Sequence, residues 1–172
     1  MHFSVNLAAV TVVVWVATAA VTCQAATSKA FDVTATIVNG CAVAQAGGSW
    51  GQINLGTVSG LATGTVEANL IASGVSGVVI ECTLGTSASL SADNGNNAAS
   101  GQRRLMQAGV ATMVPYALFA NGSTTAWTTQ SLALSFAAGA SKQTIPVKAS
   151  LTLPGTLRAG KYTDTLRLTL SW

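Results

Sequence analysis

Chemistry needs a nucleophile with a base, an acid–base pair or a set of metal ligands, and this chain supplies few residues from which to build any of them. Its acids are Asp32, Glu67, Glu81, Asp93 and Asp164, its one histidine is His2, and its cysteines are Cys23, Cys41 and Cys82. No two acids lie near enough in sequence to suggest a carboxylate pair for general acid–base work. Asp164, after Tyr162 and Thr163, could act as a lone acid, but a turn residue leading into a strand explains it with less. Asp93-Asn94-Gly95-Asn96-Asn97 has oxygen ligands at close spacing. Its alternate positions read Asp, Gly and Asn, however, and no Glu follows at the distance a calcium loop requires, so it reads as a turn. Gly47-Gly48-Ser49-Trp50-Gly51 lacks the Gly-Lys-Ser/Thr that completes a phosphate loop and reads as a surface loop.

Trp50 and Trp127 could stack on sugar rings; packing in a core or at its rim is the simpler role. Arg103-Arg104 reads as a solvated pair. The Lys and Arg residues, 8 in all, are spread along the chain and form no basic stripe for nucleic acid. Charged residues are 8% of the sequence and the formal net charge is +3. The expectation is a weakly basic, Ser/Thr/Gly-covered surface, with no cofactor, no metal and no small-molecule substrate.

The amino end sharpens this. Val5 to Thr22 carries no charge, is rich in Val and Ala, and leads into Cys23-Gln24-Ala25, small residues at the two positions a signal peptidase reads. Residues 1–25 are therefore expected to be a signal peptide. Cleavage would remove His2, and with it serine triads, histidine acid–base chemistry and histidine metal sites. Cleavage would also remove Cys23, leaving Cys41 and Cys82 in an oxidising compartment, where a disulfide is favoured over two thiols. Such a bridge closes a loop of about forty residues, worth roughly 3 to 4 kcal/mol in chain entropy.

The elements that would position these residues are strands. The last stretch, from Gly160 to Trp172, runs from a turn into strict alternation: Leu166, Leu168, Leu170 and Trp172 on one face, Thr165, Arg167, Thr169 and Ser171 on the other. That period of two marks a half-buried strand. A strand so apolar on one face needs neighbours on both sides, from an earlier strand or from another molecule. Ahead of Cys41, Phe31, Val33, Ala35 and Ile37 alternate with Asp32, Thr34 and Thr36 up to the turn signal Asn39-Gly40. Between these ends lie short apolar runs separated by Gly, Asn and Ser. They include Ile53 to Gly56, Val66 to Ile71, Gly77 to Thr83, Ser87 to Ala92, Arg104 to Met106, Val114 to Phe119, Leu132 to Phe136 and Gln143 to Leu151. Pro115 argues for an edge or a strand start, and Asn121-Gly122 for a hairpin-type turn. No segment shows three turns of amphipathic helix. The expectation is an all-β antiparallel sandwich, immunoglobulin-like by default, which by itself carries no function.

From the residues alone, Phe31 to Ile37 is equally an ordinary first strand of its own domain or a strand donated to the next copy, which repeated head to tail would make a fibre. Beyond this point a resemblance adds to the pattern. The alternating segment ending at Cys41-Ala42-Val43; Ile53-Asn54-Leu55-Gly56; Val78 to Thr86; Arg104-Leu105-Met106; Tyr116-Ala117-Leu118-Phe119; and Ala159 to Thr165 occur in the order found in the spore coat protein U domain family. That family, which the chain resembles over residues 26–172, includes subunits of archaic (Csu-type) chaperone-usher pili. The Ala159 to Thr165 stretch is the most specific of these; Ile53 to Gly56 departs from the family's usual Leu-Asp-Phe-Gly.

The resemblance implies an incomplete immunoglobulin-like sandwich completed by strand donation, with residues 26–40 as donor segment and 41–172 as the pilin-like domain. Phe31, Val33, Ala35 and Ile37 would be the donated side chains, and Leu166, Leu168 and Leu170 would line the acceptor groove. Cys41 and Cys82 would be bridged, and the Trp172 carboxylate would be the chaperone's anchor. The implied partners are a periplasmic pilus chaperone, an outer-membrane usher and other copies or related subunits. The implied route runs through the periplasm to the cell surface, for adhesion or biofilm formation. A coat protein of the same fold on a spore or cell surface is the alternative. A tip adhesin fits less well, since such subunits in this family carry an additional domain.

Overall fold

A computed structural model describes residues 28–44 and 49–172. The expected signal peptide, with His2 and Cys23, lies outside the described residues, as do Gly47 and Gly48. By internal contacts the chain divides into a unit ending at Ala35 and a second unit from Thr36 to Trp172.

The second unit is built from strands, with no helix among the described residues. In chain order they are β1 (Cys41–Val43), β2 (Gln52–Ile53), β3 (Thr63–Ala72), β4 (Val75–Ser76), β5 (Val78–Cys82), β6 (Ser87–Ala92), β7 (Arg104–Gln107), β8 (Met113–Ala120), β9 (Leu132–Ser135), β10 (Lys142–Ile145), β11 (Val147–Pro154), β12 (Tyr162–Thr163) and β13 (Leu168–Ser171). They form three antiparallel groups: β1-β5-β10; β12-β7-β8-β11-β3-β2, with β4 also on β3; and β13-β6-β9. One core joins all three. Val78 and Ile80 of β5, Leu90 of β6, Leu118 of β8 and Phe136 are its fully buried side chains. In β11 the inward residues Val147, Ala149, Leu151 and Leu153 alternate with outward-facing Lys148, Ser150, Thr152 and Pro154, the period-2 pattern of a sheet with one covered face.

The bridge between Cys41 and Cys82 is formed, with S–S 2.03 Å. It joins directly opposed residues of the β1/β5 ladder, where Cys41 pairs Cys82 and Val43 pairs Ile80.

Two expected single strands, Gln143 to Leu151 and the terminal stretch, each prove to be two, because the chain changes sheets. Gln143 to Leu151 breaks at Pro146: β10 pairs with β5, while β11 pairs with β3 and β8. Proline has no N–H to give a ladder and so suits the corner. A matching corner lies at Gly77, between β4 on β3 and β5 on β10. The two corners touch. A Cβ on Gly77, whose φ is +112°, would sit 2.5 Å from the Ile145 carbonyl oxygen and 3.0 Å from Pro146 Cα.

Pro115 sits near the start of β8, opposite Arg104 of β7 and before the β11 ladder begins at Tyr116, as a proline without a donor requires. Asn121 and Gly122 both have positive φ, and the Ser123 N–H donates to the Ala120 carbonyl. This is a tight turn, but it joins no hairpin: β8 pairs with β7 and β11, whereas β9 pairs with β6.

The touching corners generate a prediction. Gly77→Val must both hold a positive φ and displace the Ile145 backbone, at a cost on the order of 2 kcal/mol or more. Gly74→Val has a similar φ (+81°) with nothing within 4 Å of the new Cβ. In guanidinium unfolding of the purified chain, Gly77→Val should lower the midpoint clearly more than Gly74→Val; equal shifts would mean the corner contact contributes nothing.

Candidate functional site

The candidate site is the edge of β13. Leu168 opposes Ala92 and Leu170 opposes Leu90 in the ladder with β6, and β9 lies on the far side of β6. Among the described residues, then, β13 has a partner on one edge only. Leu166, Leu168 and Leu170 pack against the core while remaining partly exposed, and Thr165, Arg167, Thr169 and Ser171 between them are exposed. Trp172 keeps their parity but lies past the end of β13, 60% exposed. The terminal alternation is therefore real, though the regular strand is shorter than the pattern suggests. At the margin of another sheet, β1 likewise pairs on one edge, and its Cys41 and Val43 are half-buried against the same core.

What aims β13 is a knot of hydrogen bonds just ahead of it. Tyr162 and Thr163 form β12 on β7, in a different sheet from β13, so residues 164–167 make the crossing. Asp164 Oδ1 accepts the Asn97 backbone N–H (3.1 Å) and the Asn97 Nδ2 amide (3.1 Å). Asp164 Oδ2 accepts the Tyr116 hydroxyl at 2.8 Å. The Asn97 amide also donates to the Thr163 carbonyl at 2.9 Å. Asp93 completes the arrangement: its Oδ1 accepts the N–H groups of Gly95 (3.0 Å) and Arg167 (2.9 Å). Its own N–H donates to the Arg167 carbonyl at 3.0 Å, and the Asn96 N–H donates to the Thr165 carbonyl at 3.1 Å. Gly95, at φ +82°, lies so close to the Asp164 carboxylate that a Cβ there would be 2.1 Å from Oδ2.

Arg103 braces the knot from inside. It is 5% exposed, and the expected solvated pair is thus half wrong, since only Arg104 reaches the surface region. Its Nε (2.9 Å) and Nη2 (2.6 Å) donate to the Asp93 carbonyl, Nη2 donates to the Thr128 carbonyl (3.1 Å), and Nη1 to the Trp127 carbonyl. An isolated buried cation would be costly, and these carbonyls are its compensation. Burial pulls the Arg103 pKa down, opposed by the nearby carboxylates of Asp93 and Asp164. Burial, reinforced by the hydrogen bond to the Asp164 carboxylate, pushes the Tyr116 hydroxyl far above its ordinary value, so it stays a neutral donor.

The other predicted positions fall as follows. Phe31, Val33 and Ile37 are 84%, 85% and 86% exposed, Ala35 is exposed too, and no strand forms over residues 28–40. Trp127 belongs to the core, with its indole N–H donated to the Gln130 carbonyl, and Trp50 packs at the core's margin. Asp93 and Asp164 had no sequence proximity, yet both serve the turn at 93–97. No spacing rule could have paired them; only the Asp and Asn content of that turn hinted at local hydrogen bonding. Their oxygens are occupied by amide N–H groups and a phenol, an acceptor set for holding a bend rather than moving protons. No group of three or more His, Cys, Asp or Glu is placed to hold a metal among the described residues.

Two outcomes should follow. Tyr116→Phe should cost about 1 kcal/mol and Asp164→Ala on the order of 2 to 3 kcal/mol, because the latter leaves several part-buried donors unpaired. The pH dependence has a definite sign. Tyr116's pKa is raised on folding, so its contribution is intact below the ordinary tyrosine pKa of 10.0 and is lost as pH rises beyond that value. Urea midpoints of the native chain should fall above about pH 10, and those of Tyr116→Phe should fall less; parallel curves would remove Tyr116 from the account.

Comparisons with known proteins bear on the family and the fold. The family profile described as Spore Coat Protein U domain matches residues 26–169. No curated protein matches the sequence. Among solved structures, the chain is similar to one in the CsuC–CsuE chaperone–tip adhesion subunit pre-assembly complex from archaic chaperone-usher Csu pili of Acinetobacter baumannii. The identity is 21%, the TM-score 0.53, and coverage is 80% of this chain and 40% of that one. A crystal structure of a mutant of the CFA/I enterotoxigenic E. coli adhesin CfaE matches at 16% identity and TM-score 0.39, over 76% of this chain and 42% of that one. This chain thus spans less than half the length of the solved chains it matches. The first match supports the immunoglobulin-like β-sandwich, and with the profile running from residue 26 to residue 169 the chain belongs to the Spore Coat Protein U domain family.

Proposed function

We propose that this chain is an exported, non-enzymatic structural subunit of a chaperone-usher type surface pilus that polymerises by donor-strand exchange and serves adhesion or biofilm formation. One mismatch carries the reading. Apolar side chains at Phe31, Val33 and Ile37 stand in solvent ahead of the disulfide, while core-facing Leu166, Leu168 and Leu170 stay half covered beside a strand paired on one edge. Each feature is a liability in an isolated molecule. Each removes the other's exposure if the segment of one copy adds to β13 of the next, where main-chain hydrogen bonds supply affinity and alternate side chains supply register.

In this reading residues 26–40 are the donor segment and Phe31, Val33, Ala35 and Ile37 its inward row. A periplasmic chaperone first covers the leucine row, with exposed Trp172 as its anchor, and an outer-membrane usher exports the subunit. Membership in a family described by spore coats favours, as a second reading, a surface coat assembled from the same fold.

The test deletes residues 26–37 and coexpresses the rest with a chaperone of this pathway. The truncated chain should accumulate as a soluble chaperone complex, accept an added peptide of residues 28–38, and never form polymers on its own. If instead it fails to fold with everything after Cys41 intact, and the peptide does not restore it, the segment is an ordinary first strand of its own domain.

A further inference from the structure

We infer that the segment Phe31–Ile37 of one copy docks on a second copy antiparallel to its β13, in a single register: Phe31 opposite Trp172, Val33 opposite Leu170, Ala35 opposite Leu168 and Ile37 opposite Leu166. The inference rests on the strand-exchange reading above and adds to it which residues meet. Two rows of equal length and equal period support it. Four donor positions two apart are exposed, and four acceptor positions two apart are half-buried or exposed. Antiparallel, in-phase pairing is an arrangement in which every member of each row has a partner; a shift by two residues leaves one member of each row uncovered. A shift by one is forbidden, since it turns the whole donor row to solvent.

Orientation follows from the rest of the domain. Every ladder among the described residues is antiparallel, and parallel pairing is less stable per residue. The antiparallel register also sets Phe31 beside Trp172, an aromatic cross-strand pair. It gives the 60% exposed Trp172 a cover that nothing in its own chain provides among the described residues. On the outer face it sets Thr34 beside Thr169, a favourable pair, with Asp32 beside Ser171 and Thr36 beside Arg167.

Charge alone would choose differently. Asp32 could meet Arg167 if the donor ran parallel, or if it slid by four residues. The Arg167 side chain is 73% exposed and already lies 3.7 Å from Asp93 Oδ2, so a second exposed ion pair would contribute little. The slide would leave Leu170 and Trp172 bare and run the donor onto the Asp164 bend. Burial of the apolar row decides the register.

Cysteine crosslinking between two full-length single variants tests this. Thr34→Cys on the donor is combined in turn with Thr165→Cys, Arg167→Cys, Thr169→Cys and Ser171→Cys on the acceptor, all exposed positions. The chains are coexpressed with the chaperone and usher, polymerised, and oxidised. Non-reducing gels should show the Thr34→Cys/Thr169→Cys adduct about tenfold above the other three, which correspond to shifted registers. Asp32→Cys with Ser171→Cys should then crosslink and Asp32→Cys with Arg167→Cys should not. Polymers with a dominant adduct at any other acceptor position, or with Asp32→Cys joined to Arg167→Cys, would overturn the register while leaving strand exchange standing. No polymer and no adduct at any position would overturn both.

Discussion

The hydrogen bond from the Tyr116 hydroxyl to the Asp164 carboxylate is the constraint on which the placement of the β13 edge depends. Tyr116 is a core residue of β8, anchored in a ladder with β11, so its hydroxyl is a fixed point. Asp164 is tied to that point and to Asn97 at once. The chain therefore leaves β12 and turns toward β6 at a defined residue rather than continuing along β7. From there the Arg167 N–H donates to the Asp93 carboxylate and the Arg167 carbonyl accepts the Asp93 N–H, and β13 begins in register with β6. A strand displaced by one residue would present Thr169 and Ser171 to the core and its leucines to water. The buried Arg103 serves the same end from the opposite side, holding the carbonyls of Asp93, Trp127 and Thr128 around one planar cation.

This rigidity sits next to an incompletion. Most proteins blunt an edge strand with charge, proline or a bulge. β13 carries Thr169 and Ser171 on its outer face and leucines within, with Arg167 just ahead of it, a composition that invites pairing. The segment before Cys41 has the complementary character, with Asp32 as its one charge between Phe31 and Ile37. Under the strand-exchange reading proposed above, an edge already aimed by its hydrogen bonds and an exposed apolar segment would divide the cost of association favourably. The edge of β13 would then have little left to order, and the conformational entropy would be lost mainly by the short incoming segment.

Much of this fold was legible from periodicity. β6, β8, β11 and the leucine row of β13 fall on runs whose alternation is plain in the sequence. What periodicity could not show is where the chain changes sheets, and the reason is geometric. At a sandwich corner the inward side remains inward, so alternation passes through unbroken. Ile145 and Val147 are both buried on either side of Pro146, and Tyr162, Asp164, Leu166 and Leu168 keep one parity across the crossing from β12 to β13. A continuous pattern therefore conceals two strands. The disulfide was readable because cysteine count and compartment leave one pairing once Cys23 is set aside. The burial of Arg103 was not, because a guanidinium is buried only where carbonyls from distant turns converge, and those turns lie at 93 and at 127–128.

The position of the bridge has a mechanical meaning. Of the three rungs between β1 and β5, Cys41 opposite Cys82 is the one next to residue 40, and Val43 opposite Ile80 is the farthest. A pull applied through the segment before Cys41 would otherwise open that ladder one rung at a time, starting at the first. The first rung is covalent. Tension would pass from Cys41 across the bridge to Cys82 at the end of β5, so residues 42–81, between the two cysteines, would stay outside the load path. Under such a load the disulfide would act as a tensile shunt, tying the attachment point of the exposed segment covalently to the end of β5.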